Sequence, residues 1–129
     1  MLDTTFLVDA DRSRSSLEDL VADEDEVAVA AITIAELLVG VHLADSRHRS
    51  RRQAFVDDIT NVIPIVDYDD TVAAFHADLL VAVRRQGRPR GAHDLIIAAT
   101  AKATQREVVS ADRSAYDDLP GIAVRSHRP

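Results

Sequence analysis

The most informative absence in this sequence is that of cysteine. Without cysteine, the chain has no disulfide bond, no metal site built on thiolates and no cysteine nucleophile. A reducing compartment is compatible with this composition, and we expect a cytoplasmic protein. No apolar run is long enough to cross a bilayer and no signal peptide opens the chain, so we expect no membrane association.

Excess positive charge is also absent, since the formal net charge is -7. A protein that coats nucleic acid would usually be basic. A nuclease is still possible, because acidic catalytic residues lower the net charge while local basic clusters hold phosphates. Aromatic residues are scarce too, and Tyr68 and Tyr116 alone do not predict a surface on which bases stack.

The residues that are present fit one soluble domain spanning residues 1–129, of which 47% are hydrophobic and 29% charged. Short apolar runs alternate with segments of helical periodicity. The predicted strands are residues 1–3, 27–32, 62–66, 107–110 and 122–124, and the predicted helices begin near residues 4, 15, 33, 46, 70 and 92. The predicted caps are Thr4 or Thr5 for the first helix, Asp45 or Ser46 for the helix near residue 46 and Asp69 or Asp70 for the helix near residue 70, and the last helix is predicted to run to about Arg106. This order predicts an α/β fold with three α/β/α layers, in which helices flank a mainly parallel central sheet.

One carboxylate stands out because it opens a helix that is otherwise almost entirely apolar, the segment Gly91–Ala101. A helix that is apolar on every side is normally buried. An isolated buried carboxylate costs several kcal/mol unless it is hydrogen-bonded, neutralised or bound to a metal. The sequence therefore predicts a partner for Asp94.

Three further carboxylates are predicted to lie near Asp94. Asp3 and Asp112 each follow a predicted strand, and ligands of open α/β sheets bind at the carboxyl ends of the strands. Glu36 and Asp94 are predicted in first helical turns, which lie near the same edge. Converging carboxylates repel one another, and a divalent cation relieves this repulsion. Ligation by oxygen alone favours Mg²⁺ or Mn²⁺ over zinc.

Each acid also has an ordinary explanation. Thr33 and Glu36 have the spacing of a capping box, and Asp94 can complement a helix dipole. Asp112 can cap a turn, and Asp3 can be a turn residue near a terminus. Their joint placement, rather than any single residue, favours the metal site.

Four segments, in order, resemble the motif blocks of PIN-domain ribonucleases, specifically the VapC toxins of toxin–antitoxin pairs. They are Leu2–Asp9, Ile32–Gly40, Gly91–Ala101 and Ser110–Asp112. The resemblance implies that the four acids (Asp3, Glu36, Asp94 and Asp112) chelate Mg²⁺ or Mn²⁺. It also implies that Thr5 and Ser110 support the site by hydrogen bonding, with Ser110 standing where the family commonly has threonine.

This resemblance implies a toxin of a type II toxin–antitoxin system. It would be an endoribonuclease that hydrolyses RNA phosphodiester bonds with metal-activated water, and it would inhibit translation and growth. The implied partners are a VapB-type antitoxin and a second copy of the chain, assembled into a homodimer and into a heterotetramer or larger complex with the antitoxin. Promoter DNA would be bound only through the antitoxin.

Basic residues near the acids are candidates for phosphate contacts. Arg88, Arg90 and Arg113 are the preferred ones, whereas Arg84 and Arg85 are better explained as charges at a helix C-terminus. The basic run 47–52 is typical of a solvated helix face, with RNA or antitoxin contact as the alternative. Among the histidines, only His93, next to Asp94, is a candidate for the site.

Two other classes of protein remain open. A phospho-receiver domain is also a small α/β fold with acids at strand ends, but it needs a lysine after a late strand. The single lysine, Lys102, lies inside the predicted helix of Asp94. A catalytically silent PIN-like module that binds protein or RNA is the second alternative, and the presence of all four acids counts against it.

Overall fold

The sheet is parallel throughout the part of the chain that the computed structural model describes, residues 1–13 and 26–126. Its strands are β1 (Val29–Ala30), β2 (Ile65–Val66), β3 (Val108–Ser110) and β4 (Val124–Ser126). β1 pairs with β2 and β3 with β4. Leu2 forms parallel bridges to Val29 and Val109, which joins the two pairs in the order β2, β1, Leu2, β3, β4. The predicted short first strand is therefore the centre of the sheet.

In the described ranges, five α-helices surround this sheet: α1 (Thr4–Ser13), α2 (Ala31–Leu43), α3 (Ser46–Val62), α4 (Asp70–Gln86) and α5 (Ala92–Ala103). Asp45 and Asp69 cap α3 and α4 by accepting hydrogen bonds from the backbone, as predicted. Gly87 ends α4 in the left-handed region, at φ 64°. None of the described helices is long and apolar enough to span a membrane.

Both faces of the sheet are covered, and side chains alternate between the two faces along each strand. One apolar cluster contains Met1, Ala30 and Val108 and packs against α4 and α5. The other contains Leu2, Val29 and Val109 and packs against α1, α2 and α3. The structure thus confirms the predicted three-layer α/β/α arrangement.

Several predicted boundaries were wrong. α2 begins at Ala31 instead of Thr33, because a short apolar run does not distinguish the end of a strand from the start of a helix. Glu36 is therefore in the second turn and forms no capping box with Thr33. α5 ends at Ala103 and not near Arg106, since Gln105 adopts φ 55°.

Two further predictions concern the ends of the chain. α1 is capped by Asp3, whose Oδ1 accepts the backbone N–H of Phe6 at 2.9 Å, and not by Thr4 or Thr5. The last strand is Val124–Ser126, later than the predicted residues 122–124. The helix predicted to begin near Ser15 lies outside the described residues.

Candidate active site

The four acids gather at the edge of the sheet where the parallel strands end. Asp3 follows the central Leu2 bridge, and Asp112 follows β3. Glu36 lies on α2 and Asp94 in the first turn of α5. A pocket of about 390 Å³ is lined by Glu36, Asp94 and Asp112, and also by Asp9 and Arg12. We call it the acid pocket.

Asp3 lies behind this pocket and is almost completely buried. Its Oδ1 accepts hydrogen bonds from Thr5 Oγ1 at 2.8 Å and from the Phe6 amide at 2.9 Å. Its Oδ2 accepts from Ser110 Oγ at 2.5 Å and from the Tyr116 hydroxyl at 2.9 Å. Two donors on each oxygen fill the acceptor capacity of a carboxylate. Hydrogen bonding therefore compensates the burial of this charge.

Thr5 and Ser110 also hold the chain that leads to Asp112. Thr5 Oγ1 accepts the Ala111 amide at 3.0 Å, and Ser110 Oγ accepts the Asp112 amide at 2.9 Å. The Ser114 hydroxyl donates to Asp112 Oδ1 at 2.5 Å. These bonds place the two hydroxyls between Asp3 and Asp112, where the sequence predicted supporting residues.

Glu36 is held from two sides. Thr4 Oγ1 donates to Glu36 Oε1 at 2.8 Å, so Thr4, predicted only as a possible cap, contacts a site acid. His93 Nδ1 lies 3.4 Å from Glu36 Oε2, and the His93 side chain is 54% exposed. His93 thus borders the pocket without being enclosed by it.

Asp94 lies in electrostatic surroundings that disfavour its charged form. Burial makes the largest contribution to raising the pKa of Asp94, and the negative charges of Asp3, Glu36 and Asp112 raise it further.

Gly91 lies directly against Asp94. A Cβ atom at Gly91 would lie only 2.7 Å from Asp94 Oδ2, so the glycine leaves room for the carboxylate. Gly91 opens one of the four segments that resemble PIN-domain motif blocks, but its contact with Asp94 was not predicted from the sequence.

Tyr116 is a further contributor that the sequence did not predict. It is 1% exposed, and burial together with the charges of Asp3 and Asp94 raises its pKa far above the ordinary value. The hydroxyl therefore stays protonated and donates a hydrogen bond to Asp3 Oδ2. No spacing rule finds this contact, because the two residues are 113 positions apart.

The acid pocket fits a hydrated divalent cation better than a dehydrated one. Within residues 1–13 and 26–126, no three His, Asp or Glu side chains lie close enough together to enclose a metal ion. Magnesium usually keeps several waters and binds through one or two carboxylates. Oxygen donors, mutual repulsion and a pocket wide enough for water all fit such an ion.

The predicted phosphate-binding arginines differ in their contacts. Arg90 donates to the backbone carbonyls of Ala115 and Asp117, and its Nε is buried without a partner among the described residues. Arg88 and Arg113 are exposed and lie 3.4 Å from Asp118 and Asp117, respectively. Arg90 thus anchors the loop after Asp112, whereas the side chains of Arg88 and Arg113 remain 49% and 64% exposed.

Lys102 does not lie with the acids, as a phospho-receiver domain would require. Its Nζ donates to the carbonyl of Pro120 at 3.4 Å. It also lies over the Phe75 ring, 5.3 Å from the centroid. This geometry removes support for the phospho-receiver alternative.

Comparison with known proteins identifies the family to which the chain belongs. The model of the PIN domain family matches residues 1–120. Ribonuclease VapC5 of Mycobacterium tuberculosis is 31% identical over 115 residues, which cover 87% of this chain and 82% of that protein.

Solved structures agree. VapBC-5 from M. tuberculosis, a member of the VapBC family of toxin–antitoxin systems, aligns with a TM-score of 0.75 and 29% identity over 97% of this chain and 94% of that chain. VapBC2 from Rickettsia felis, bound to a DNA fragment from its promoter, aligns with a TM-score of 0.87 over 98% of this chain and 96% of that chain. At 22% identity, this second similarity concerns the fold.

Proposed function

This chain belongs to the PIN domain family and is a VapC-type toxin ribonuclease, and we propose that the four acids are its catalytic centre. The substrate is RNA, and the reaction is hydrolysis of a phosphodiester bond. Ribonucleases of this family depend on a divalent metal, and for this chain we propose Mg²⁺ or Mn²⁺.

The observation that carries the proposal is the convergence of four carboxylates at a pocket where, among the described residues, Arg12 is the one arginine or lysine in the lining. Glu36, Asp94 and Asp112 line one pocket, and the charge of the buried Asp3 is felt by Asp94. Such an arrangement is unfavourable in the free protein, and a bound cation reverses the sign of the interaction.

Each acid has a distinct part in this proposal. Glu36, Asp94 and Asp112 face the acid pocket and would hold the cation, directly or through water. Asp3 would act from behind, with its orientation fixed by four hydrogen bonds. A divalent cation supplies positive charge that acidifies water and neutralises charge developing on the phosphate.

Phosphates of the RNA would be held by exposed arginines beside the pocket. Arg113 follows Asp112 directly, and Arg88 lies on the loop before Asp94. Arg90 is not among our proposed phosphate contacts, because its guanidinium already donates to two backbone carbonyls.

We further propose a VapB-type antitoxin as the protein partner, with the toxin as a homodimer in a heterotetramer or larger complex. Promoter DNA would be bound only through the antitoxin. The similar structures support this proposal, since they are toxin–antitoxin complexes and one is bound to promoter DNA. Because both members act in the cell that makes them, the expected location is the cytoplasm.

The test exchanges one carboxylate for its neutral isostere. Asp94→Asn should lower the rate of RNA cleavage in Mg²⁺ or Mn²⁺ by more than about 100-fold, a common result of removing a group that stabilises transition-state charge. Asp78→Asn, the same exchange at an exposed position on α4, should leave the rate unchanged. Cleavage is measured on end-labelled RNA, and folding by thermal unfolding.

Metal titration separates the proposal from a catalytically silent module. Calorimetry should show binding of Mg²⁺ or Mn²⁺ to the wild type and to Asp78→Asn, with much weaker binding to Asp94→Asn. A wild type that binds neither ion and cleaves no RNA would contradict the proposal.

A further inference from the structure

A second cavity adjoins the acid pocket on the side of α1, α2 and α3. It has a volume of about 240 Å³, and we call it the side cavity. Thr4, Val8, Arg12 and Glu36 line both spaces. The two are therefore parts of one continuous concave surface, and a chain bound in one can extend into the other.

The charges of the two spaces differ. The side cavity is lined by Arg12, Arg51 and Arg52, against the acids Asp11 and Glu36. In the described lining of the acid pocket, a single arginine, Arg12, stands against four acids. These are Asp9, Glu36, Asp94 and Asp112. An anionic strand leaving the acid pocket would therefore meet a more positive surface here.

Two of these arginines are held in place by the fold. Arg51 Nη1 donates to Asp11 Oδ1 at 2.7 Å, and Arg52 Nη1 donates to the Gly40 carbonyl at 3.1 Å. A guanidinium has five N–H donors, so each arginine retains donors for an anion. A guanidinium fixed in this way loses little freedom when it binds a phosphate.

The rest of the cavity lining is apolar. Val8, Leu37, Phe55 and Val56 contribute from three different helices. Phe55 is partly exposed, although it also packs against the core beneath α3. An aromatic side chain in an apolar cavity with a basic border can hold a planar base between stacking and cationic contacts.

We propose that the side cavity is a nucleotide subsite, which holds the base of a nucleotide next to the phosphate being cut. Arg12 and Arg52 contact its phosphate, and Phe55 contacts its base. The volume is below the roughly 300–1,000 Å³ of sites for drug-sized ligands, which suits one base with part of its sugar. This inference rests on the proposed ribonuclease function.

Charge and continuity favour RNA over a peptide as the occupant. The cavity opens into the pocket where the four acids converge, and Arg12 lies at the junction of the two spaces. A phosphodiester chain combines charged groups with planar bases, and the lining offers both guanidinium groups and apolar side chains.

The experiment measures which nucleotides flank the cut. The whole chain is incubated with short single-stranded RNA of random sequence in Mn²⁺ or Mg²⁺, and the product ends are sequenced. The test variants are Phe55→Leu and Arg52→Gln. Their controls are the same exchanges outside both cavities, Phe75→Leu on α4 and Arg106→Gln before β3. Thermal unfolding verifies that all four variants fold.

Phe55→Leu should reduce the nucleotide preference at one position beside the cut and raise KM about fivefold or more, as expected for a lost stacking contact. Arg52→Gln should raise KM for all sequences without changing that preference. In both variants kcat should change less than KM, and the controls should match the wild type. A general loss of stability would instead lower cleavage of all sequences in Phe55→Leu, with the preference unchanged.

Folded test variants with wild-type KM and wild-type preference would overturn the subsite and leave the ribonuclease function intact. The subsite would likewise be overturned if the test variants changed the binding of a protein partner and left RNA cleavage as in the wild type. If the wild type cleaves no RNA, the proposed function fails by itself. Fluorescence anisotropy of labelled RNA in the same buffer then still decides the subsite, because Phe55→Leu must weaken binding about fivefold.

Discussion

Asp3 and Asp94 are carboxylates of the same site that the fold treats in opposite ways. Asp3 is buried and accepts four hydrogen bonds, two on each oxygen. Asp94 is partly exposed, and burial and three neighbouring carboxylates raise its pKa. A fold can therefore accept one acid as part of its own framework while leaving another dependent on an external cation. We expect Asp3 to stabilise the folded protein without metal, and Asp94 to stabilise it only when metal is bound.

The largest expected effect separates these two positions directly. Asp3→Asn replaces one acceptor oxygen with an NH₂ group that faces two donors, so buried donors lose their partner. We expect the free energy of unfolding to fall by about 3 kcal/mol, since unsatisfied buried groups cost that much when a charge was involved. RNA cleavage should also be lost. Denaturant unfolding without metal measures the change in stability.

Asp94→Asn is the matched control for this exchange. It removes a charge that its neighbours repel, so the variant should be at least as stable as the wild type when metal is absent. Equal losses of stability in Asp3→Asn and Asp94→Asn would show that the two carboxylates are held in the same way.

The next prediction moves the carboxylate of Asp94 without changing its charge. In Gly91→Ala, the new Cβ would lie 2.7 Å from Asp94 Oδ2, so the carboxylate must shift. Displacement of a catalytic group by about 1 Å can cost about 100-fold in rate, and we expect a loss of 10- to 100-fold.

The stability of Gly91→Ala should change little, because Gly91 has φ -59°, which alanine adopts readily. Kinetics on labelled RNA and thermal unfolding test the two parts. Wild-type cleavage by Gly91→Ala would show that the position of Asp94 is not critical.

A smaller effect is expected from removing one donor of Asp3. Tyr116→Phe keeps the ring in the core and deletes the hydroxyl that donates to Asp3 Oδ2. Ser110 still donates to the same oxygen, so the cost should be about 1–2 kcal/mol in unfolding free energy. Metal affinity measured by calorimetry should fall less than in Asp94→Asn. An unchanged stability would mean that this hydrogen bond contributes nothing to the fold.

The positions of the four acids could be predicted from the sequence, whereas the contacts that hold them could not. Asp3, Glu36, Asp94 and Asp112 could be predicted together because the order of the elements brings the ends of parallel strands and the beginnings of helices to one edge of the sheet. The two-sided core could be predicted as well, since continuous apolar strands indicate a sheet covered on both faces.

The contacts that hold the acids could not be predicted in the same way. Tyr116 reaches Asp3, and Thr4 reaches Glu36, only through tertiary packing. Arg90 illustrates the same limit, because nothing local distinguishes an arginine that binds backbone carbonyls from one that awaits a phosphate. The start of α2 was predicted wrongly for another reason. The apolar run of β1 continues directly into α2, and no side chain caps the helix at Ala30.

The smallest expected effect is a dependence of stability on pH at Asp94. Its folded-state pKa lies above the ordinary value of 3.8, so the folded protein binds this proton more tightly than the unfolded chain does. As the pH rises through the interval between the two values, unfolding releases a proton and the wild type loses stability. Asp94→Asn has no such proton. Without metal, its stability advantage should therefore grow as the pH rises from about 4 towards neutral.

Thermal unfolding of both proteins across this range, in the presence of a chelator, measures the difference. An advantage that stays constant or shrinks would contradict the assignment of Asp94 as the acid that its neighbours repel. With Mg²⁺ or Mn²⁺ added at neutral pH, the order should reverse, because a ligand that binds only the folded wild type adds its binding free energy to stability. The same carboxylate would then be destabilising or stabilising according to whether the cation is bound, whereas Asp3 should contribute favourably in both states.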